Sequence, residues 1–415
     1  MSNLKAVSKN TIFQIIAKAS TVSVSLVITA LITRKLSAFD YGEFVKIMSF
    51  VSIFYLLADF GFNATFLKTT LNKKIETDFN KFFALRILTS GFLTIFCILL
   101  VLPLPHNQID GTGYSQAVKF GIFLASFTIF FQGLFNTANA IFQKKLRYDL
   151  SSVASVISSL ATLGLVIAVI PTRNLYLLVL SYTFSNAVLF LVAYRLLRKF
   201  SLKPKPDFNK IYSKKMFFGS ISLGITLVIN LIYFRLDTII LGFYRSPVEV
   251  GFYGLAYRIF ETVLVIPIFF SNSLFPVFLT NLHNIENIKR IFKKSFLLLS
   301  VLSLSLSLFF YLTADLIVYV ISGPEFATSA DLLRILSAGY PFFFLSAIVM
   351  WLLISLNTQK YLSILYLIVG TLNCLANLYF IPTYGAFASA YITVISEIII
   401  LFGGAYILIN KLKNV

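Results

Sequence analysis

The sequence predicts an all-α polytopic membrane protein, with about 12 transmembrane helices of some 20 residues each, arranged as two six-helix lobes. Three observations carry that prediction. Of 415 residues, 58% are hydrophobic, and the apolar residues fall in long uninterrupted segments. The loops between those segments are short. Their Lys and Arg lie on alternate sides of successive segments. Lipid offers no water to satisfy free backbone groups, so segments this apolar cross as helices.

Taken in order, the first expected span covers about 10–33 and carries Gln14, Lys18, Thr21, Ser25 and Thr29 on one stripe. It is too long and too polar for a signal peptide and is expected to remain as a span. The second, about 43–67, carries Ser52, Tyr55, Asp59 and Asn63. The third, about 82–102, holds Cys97, which reads as a small core residue, like Cys374 further on. The fourth, about 117–141, carries Gln132, Asn136 and Asn139, with Gln143 continuing the stripe. The fifth, about 150–170, shows the small-residue packing face Ser151, Ser155 and Ser159. The sixth covers about 175–197.

A basic loop at about 198–215, with Lys-Pro-Lys-Pro at 203–206, divides the chain into lobes 1–200 and 201–415. It suits an anionic leaflet, and the positive-inside rule alone also accounts for it. The seventh span, about 216–242, carries Ser222, Thr226, Asn230, Tyr233 and Asp237. The remaining five are about 251–279, 294–321, 330–356, 360–380 and 385–410, the last with Ser389, Thr393 and Glu397 on one face. With the N-terminus in the cytoplasm, most loop Lys and Arg fall on that side. Only Arg34, Lys35, Arg173 and Arg245 fall outside. The rule therefore places both termini in the cytoplasm. The net charge of +19 would suggest nucleic acid in a soluble protein; here its distribution follows the membrane, and no nucleic-acid partner is expected.

The halves repeat weakly. Ser37-Ala-Phe-Asp-Tyr-Gly-Glu-Phe44 aligns without gaps to Ser246-Pro-Val-Glu-Val-Gly-Phe-Tyr253, each joining the first and second spans of its half. Six spans per half keep one orientation, so the repeat is parallel, with a substrate site expected between the halves.

Ionisable groups inside spans cost about 2.5–3.5 kcal/mol on insertion scales and point to function. Lys46, Arg86, Lys119, Arg195 and Arg334 lie near span ends, where snorkelling serves most of them. Lys18, Arg235 and Arg258 lie deeper, with the acids Asp59, Asp237, Glu261, Asp315 and Glu397. Arg258 and Glu261 are three apart and can pair. Arg235 and Asp237 point apart and should seek partners on other helices. The cationic excess suits an anionic substrate such as a phosphate or diphosphate. No G-x-x-x-x-G-K-[ST] occurs, so no P-loop ATPase is present. The loops leave no room for a catalytic constellation, which argues against an enzyme.

Four segments resemble a family. Leu57-Ala-Asp-Phe-Gly-Phe62 looks like its second-helix motif, and Val250-Gly-Phe-Tyr-Gly-Leu-Ala-Tyr-Arg-Ile259 like the start of its eighth helix. Gly323-Pro-Glu-Phe-Ala-Thr-Ser-Ala-Asp-Leu-Leu-Arg-Ile-Leu336 is similar to its loop before the tenth. Asn377 through Ile381-Pro-Thr-Tyr-Gly-Ala-Phe-Ala-Ser-Ala390 to Ser396-Glu397 resembles its last hairpin. The family is the polysaccharide-transport branch, the Wzx-type flippases, of the multidrug/oligosaccharidyl-lipid/polysaccharide exporter superfamily.

The resemblance implies two lobes in a V around a central cavity. It implies flipping of an undecaprenyl-diphosphate-linked oligosaccharide, of O-antigen, capsule or exopolysaccharide, across the bacterial cytoplasmic membrane by alternating access. Substrate contacts are expected from Lys18, Lys46, Arg235 and Arg258 for the diphosphate, with Gln14, Thr21, Asn63, Asn136 and Asn230 for sugars. Asp59, Asp237, Glu261 and Glu397 are candidates for H⁺ or Na⁺ coupling, with no other cofactor and no metal. Lipid-linked oligosaccharide and membrane lipids are the expected partners, with a polysaccharide polymerase and a chain-length regulator beside a monomeric transporter. The alternatives are an organic-cation antiporter of the same superfamily, disfavoured by the cationic excess, and a membrane polysaccharide polymerase, disfavoured by the short loops.

Overall fold

The computed structural model describes residues 2–70, 75–107 and 111–413. Lys73, Lys74 and Asp110 lie outside the described residues, as do the side chains of Lys5, Lys9, Gln14, Ser222, Thr226, Asn230 and Tyr233. The first half of the chain forms α1 (Ser2–Lys35), α2 (Ala38–Leu57), α3 (Phe62–Thr69), α4 (Ile75–Val101), α5 (Gln116–Lys144), α6 (Tyr148–Val169) and α7 (Leu175–Leu197). The second forms α8 (Lys210–Tyr244), α9 (Pro247–Thr280), α10 (Ile285–Ser322), α11 (Thr328–Ser337), α12 (Tyr340–Ser355) and α13 (Gln359–Lys413). The described residues contain no strand, only an isolated bridge between His106 and Gly113.

Ten helical segments among the described residues are long and apolar enough to cross a membrane, against about 12 expected. Two features account for the difference. The last segment, Gln359–Leu412, is interrupted at Gly385 (φ 58°), between the two final expected spans. The seventh expected span lies in α8, whose interior side chains are outside the described residues. The protein is an all-helical multi-pass membrane protein.

The chain forms two compact units, Met1–Leu36 with Glu43–Leu231, and Ser37–Gly42 with Ile232–Val415. In the first, α1 lies on α6, and α5 lies between α4 and α7. Its core is aromatic: Phe62, Phe66, Phe79, Phe82 and Phe142 are all buried, and Phe66 stacks on Phe82 with centroids 4.3 Å apart. The outward side of α4 shows Phe92, Ile95 and Leu99 instead, a surface suited to lipid rather than water.

In the second unit, α9 packs on α11 and α12, and α12 on α13. Helix α10 buries several small residues beside Ile288, Leu299 and Val318 and turns a row of leucines outward. Ser295, Ser303 and Ala314 are buried, while Leu297, Leu304, Leu308, Leu312 and Leu316 are exposed. Small residues let backbones approach where lipid supplies no hydrophobic drive, and large apolar ones meet the acyl chains.

Two details of the second unit explain how irregular backbone is tolerated. At the break in α13, Ala386 N donates to Glu249 Oε1 at 2.7 Å, and Arg245 Nη1 donates to the Pro382 carbonyl at 3.3 Å. Arg245 Nε donates to Glu249 Oε2 at 2.7 Å, so one ion pair satisfies both sides of the break. The repeated segment makes a reciprocal crossing. A Cβ on Gly42 would lie 1.6 Å from the Pro247 carbonyl oxygen, and one on Gly251 would lie 2.7 Å from that of Ala38. In the alignment Gly42 matches Gly251 and Ala38 matches Pro247. The starts of α2 and α9 thus meet through equivalent atoms, as a repeat with two-fold character requires.

Candidate functional site

The second expected span is not continuous. Helix α2 ends at Leu57, α3 begins at Phe62, and Phe60 (φ 41°) and Gly61 (φ 73°) turn through the left-handed region. Glycine is required at 61, since a Cβ there would also meet Leu223 Cβ at 2.6 Å. The break frees carbonyls at membrane depth, where each needs a donor.

Arg86, projecting from α4, is that donor. Its Nη1 donates to the Ala58 carbonyl at 2.5 Å and the Asp59 carbonyl at 3.2 Å. Its Nη2 donates to Asp59 Oδ1 at 2.7 Å and Asn63 Oδ1 at 2.5 Å. The guanidinium lies 5.1 Å and 5.0 Å from the ring centroids of Phe62 and Phe82, within cation–π range. Arg86 is 0% exposed, which corrects the snorkelling expectation. A long cation leaves the interior only when nothing at its own depth pairs it, and here a carboxylate and a broken helix end do. Lys46 does not snorkel either. It is 1% exposed and donates to the Gly113 carbonyl at 2.9 Å.

Beside the break lies a cavity of about 380 Å³ in the first unit. Tyr55, Asp59 and Asn63 line one side, and Gln132, Asn136, Asn139 and Gln143 of α5 line the other. The two polar stripes expected on the second and fourth spans therefore face one space. Gln132 Nε2 donates to Asn136 Oδ1 at 3.1 Å, and Asn139 Oδ1 accepts from Ser151 at 2.7 Å. Gln132 Oε1 is buried without a partner. Asp59 is the one charged residue in the described lining, and a third of its side chain remains accessible. The volume lies within the usual 300–1,000 Å³ range of ligand sites.

The second unit carries a separate charged cluster. Arg235 Nη2 of α8 pairs with Glu261 Oε1 of α9 at 2.9 Å, and Arg258 Nη1 approaches Glu261 Oε2 at 3.9 Å. The i,i+3 pair expected from sequence is present, but the closer partner of Glu261 comes from another helix. Two cations and one anion leave one net positive charge, with 44% of the Arg258 side chain exposed. Asp237 finds its partner on α9, as expected of a residue pointing away from Arg235. It accepts from the Tyr253 hydroxyl and from the Thr238 amide, and is 4% exposed. Glu397 is 3% exposed and accepts from Ser346.

The remaining expected residues lie apart. Lys18 is exposed on α1, where Thr21 Oγ1 donates to its carbonyl at 2.9 Å. Gln14 and Asn230 have side chains outside the described residues. Sequence reasoning left Arg86 out of the site. The signal available was Asp59, an acid within a span that needs a cation, in a motif containing glycine.

Helices this apolar, with a broken span beside a polar cavity, define a multi-pass membrane protein of transporter fold. The family model described as "Polysaccharide biosynthesis protein" matches residues 7–282, and the chain belongs to that family, in the polysaccharide branch of the exporter superfamily named above. A second model, MatE, matches residues 222–379.

Among solved structures, the fold is similar to "Lipid II flippase MurJ, inward closed conformation", with TM-score 0.76 and 16% identity over 97% of this chain and 89% of that one. It is similar to an inward-facing multidrug resistance MATE family transporter of the MOP superfamily, with TM-score 0.75 and 14% identity over 95% and 96%. A MOP superfamily transporter from Pyrococcus furiosus Vc1, described as having a binding pocket of reverse polarity, aligns with TM-score 0.64 and 14% identity over 99% and 96%. No curated protein sequence matches the chain.

Proposed function

We propose that the chain is a transporter, not an enzyme, that moves an undecaprenyl-diphosphate-linked oligosaccharide from the cytoplasmic to the outer leaflet of a bacterial cytoplasmic membrane. The observation that carries this reading is the amide-lined cavity beside the broken second span. Asn63, Gln132, Asn136, Asn139 and Gln143 offer paired donors and acceptors, the chemistry that sugar hydroxyls require. Discontinuous helices mark substrate sites in membrane transporters. The net positive cluster of Arg235, Glu261 and Arg258 supplies attraction for a diphosphate. The family's description as polysaccharide biosynthesis and the likeness of fold to a lipid II flippase support the same class of substrate. A polysaccharide polymerase would consume the product outside, with a chain-length regulator beside it and this chain acting as a monomer.

The MatE match favours a second reading, export of organic cations. It would need an unneutralised acid in the site. Asp59 is instead held by Arg86, and Glu261 by Arg235. Deletion of the gene in a host making the cognate glycan tests the proposal. Lipid-linked repeat units should accumulate on the cytoplasmic leaflet, and Arg258→Ala should reproduce the accumulation with normal protein abundance. A deletion strain with normal surface glycan and raised sensitivity to organic cations would establish the second reading instead.

A further inference from the structure

The cavity of the first unit selects as well as binds. Its described lining carries five amides, a phenol and one carboxylate, and no cation. The carboxylate is Asp59. Arg86 lies behind it, fully buried, with both Nη atoms committed to Asp59, Asn63 and the two freed carbonyls. The pair is neutral in sum but not in direction: the anion faces the cavity and the cation faces the core. The next cation along α5, Lys144, donates to the Thr70 carbonyl at 2.6 Å and is absent from the lining. A guest in this space meets hydrogen-bonding groups and the open edge of a carboxylate.

The volume fits a guest of one sugar. At about 30 Å³ per water, 380 Å³ is the space of about a dozen waters, which accommodates a hexose ring. Asp59, with a third of its side chain accessible, is an acceptor open to the cavity. Sugar hydroxyls and acetamido N–H groups are donors. A hexuronate carboxylate is not, and the charged group it would meet in the described lining is the Asp59 carboxylate, whose paired cation Arg86 lies behind it. Like charges at close range repel.

We infer that this cavity takes one uncharged hexose or N-acetylhexosamine of the transported glycan and rejects a hexuronate at that position, with the outward-facing Asp59 as the selecting group. The inference rests on the glycan reading above and adds to it the charge of the sugar recognised.

The test uses the purified full chain in detergent and native mass spectrometry. Two synthetic probes are compared: a polyprenyl diphosphate bearing an N-acetylhexosamine–hexose disaccharide, and the same probe with the hexose replaced by a hexuronate. The neutral probe should bind the parent protein at least about tenfold more tightly, as one close contact between like charges implies. Gln143→Lys, which adds a cation to the lining without touching the Arg86–Asp59 pair, should narrow that ratio or reverse it. Asp59→Asn should do the same, and Gln143→Lys keeps the test valid if Asp59→Asn does not fold. Equal binding of both probes by the parent, or a ratio unchanged in Gln143→Lys, overturns the inference and leaves the transport reading standing. Binding of neither probe removes both.

Discussion

Arg86 shows how one side chain can serve several partners at once. It closes a helix break, pairs an acid and orients Asn63, all from a position with no exposure. Removing the guanidinium leaves two freed carbonyls without their donor and a partly accessible carboxylate without its cation. Arg86→Leu should therefore lower the melting temperature in detergent and reduce membrane abundance. Arg86→Lys should fall between it and the parent, because lysine keeps the charge and loses the fork that reaches two carbonyls and two side-chain oxygens at once. A melting curve for Arg86→Leu matching the parent would show that the break holds itself. Both Asp59 and Arg86 were visible in the sequence as charges within spans. Their pairing was not, because it depends on the turn at Phe60 and Gly61, whose freed carbonyls draw in the same guanidinium that pairs Asp59.

At the scale of elements, glycines separate into those that mark contacts and those that do not. Gly42 and Gly251 let the starts of α2 and α9 approach backbone to backbone. Gly91 of α4 and Gly164 of α6 have nothing within 4 Å of a built Cβ. Gly42→Ala and Gly251→Ala should each destabilise the protein, since the added methyl meets a carbonyl that cannot swing aside. Gly91→Ala and Gly164→Ala should be neutral or stabilise by roughly 0.5–1 kcal/mol, the usual helix preference for alanine. Thermal melting of the four variants decides it, and equal losses at all four sites would contradict the crossing. The sequence repeat pointed to Gly42 and Gly251 as equivalent turn residues. It did not show that they touch each other's helices, because a repeat fixes equivalence and not proximity.

For the whole molecule, orientation is the first quantity to test. The basic asymmetry of the loops predicts that both termini are cytoplasmic. In a background with Cys97 and Cys374 replaced, cysteines at Asn107 and Ala327 should react with an impermeant thiol reagent from outside. Cysteines at Asp207 and His283 should not. All four positions are exposed, so access rather than burial decides the labelling. Ser329, in the same loop region as Ala327, would fail as a probe, being 0% exposed and bonded to the Phe252 carbonyl. The reverse labelling pattern would invert the orientation.

By itself the sequence determined the class of fold, the polar faces and the family. Hydropathy suffices for the first, since a backbone in lipid has few options. Helical periodicity suffices for the second: Tyr55, Asp59 and Asn63, and Gln132, Asn136, Asn139 and Gln143, were read as stripes from spacing alone, and they line one cavity. Only the tertiary structure decided which partner each charge takes. Lys46 and Arg86 are buried braces, Arg235 shares Glu261 with Arg258, and Asp237 is held by Tyr253. The physical reason is that an ionisable group in a membrane takes the partner that lies nearest in space at its own depth. That partner comes from another helix, and its identity depends on how helices rotate and break rather than on any spacing along the chain.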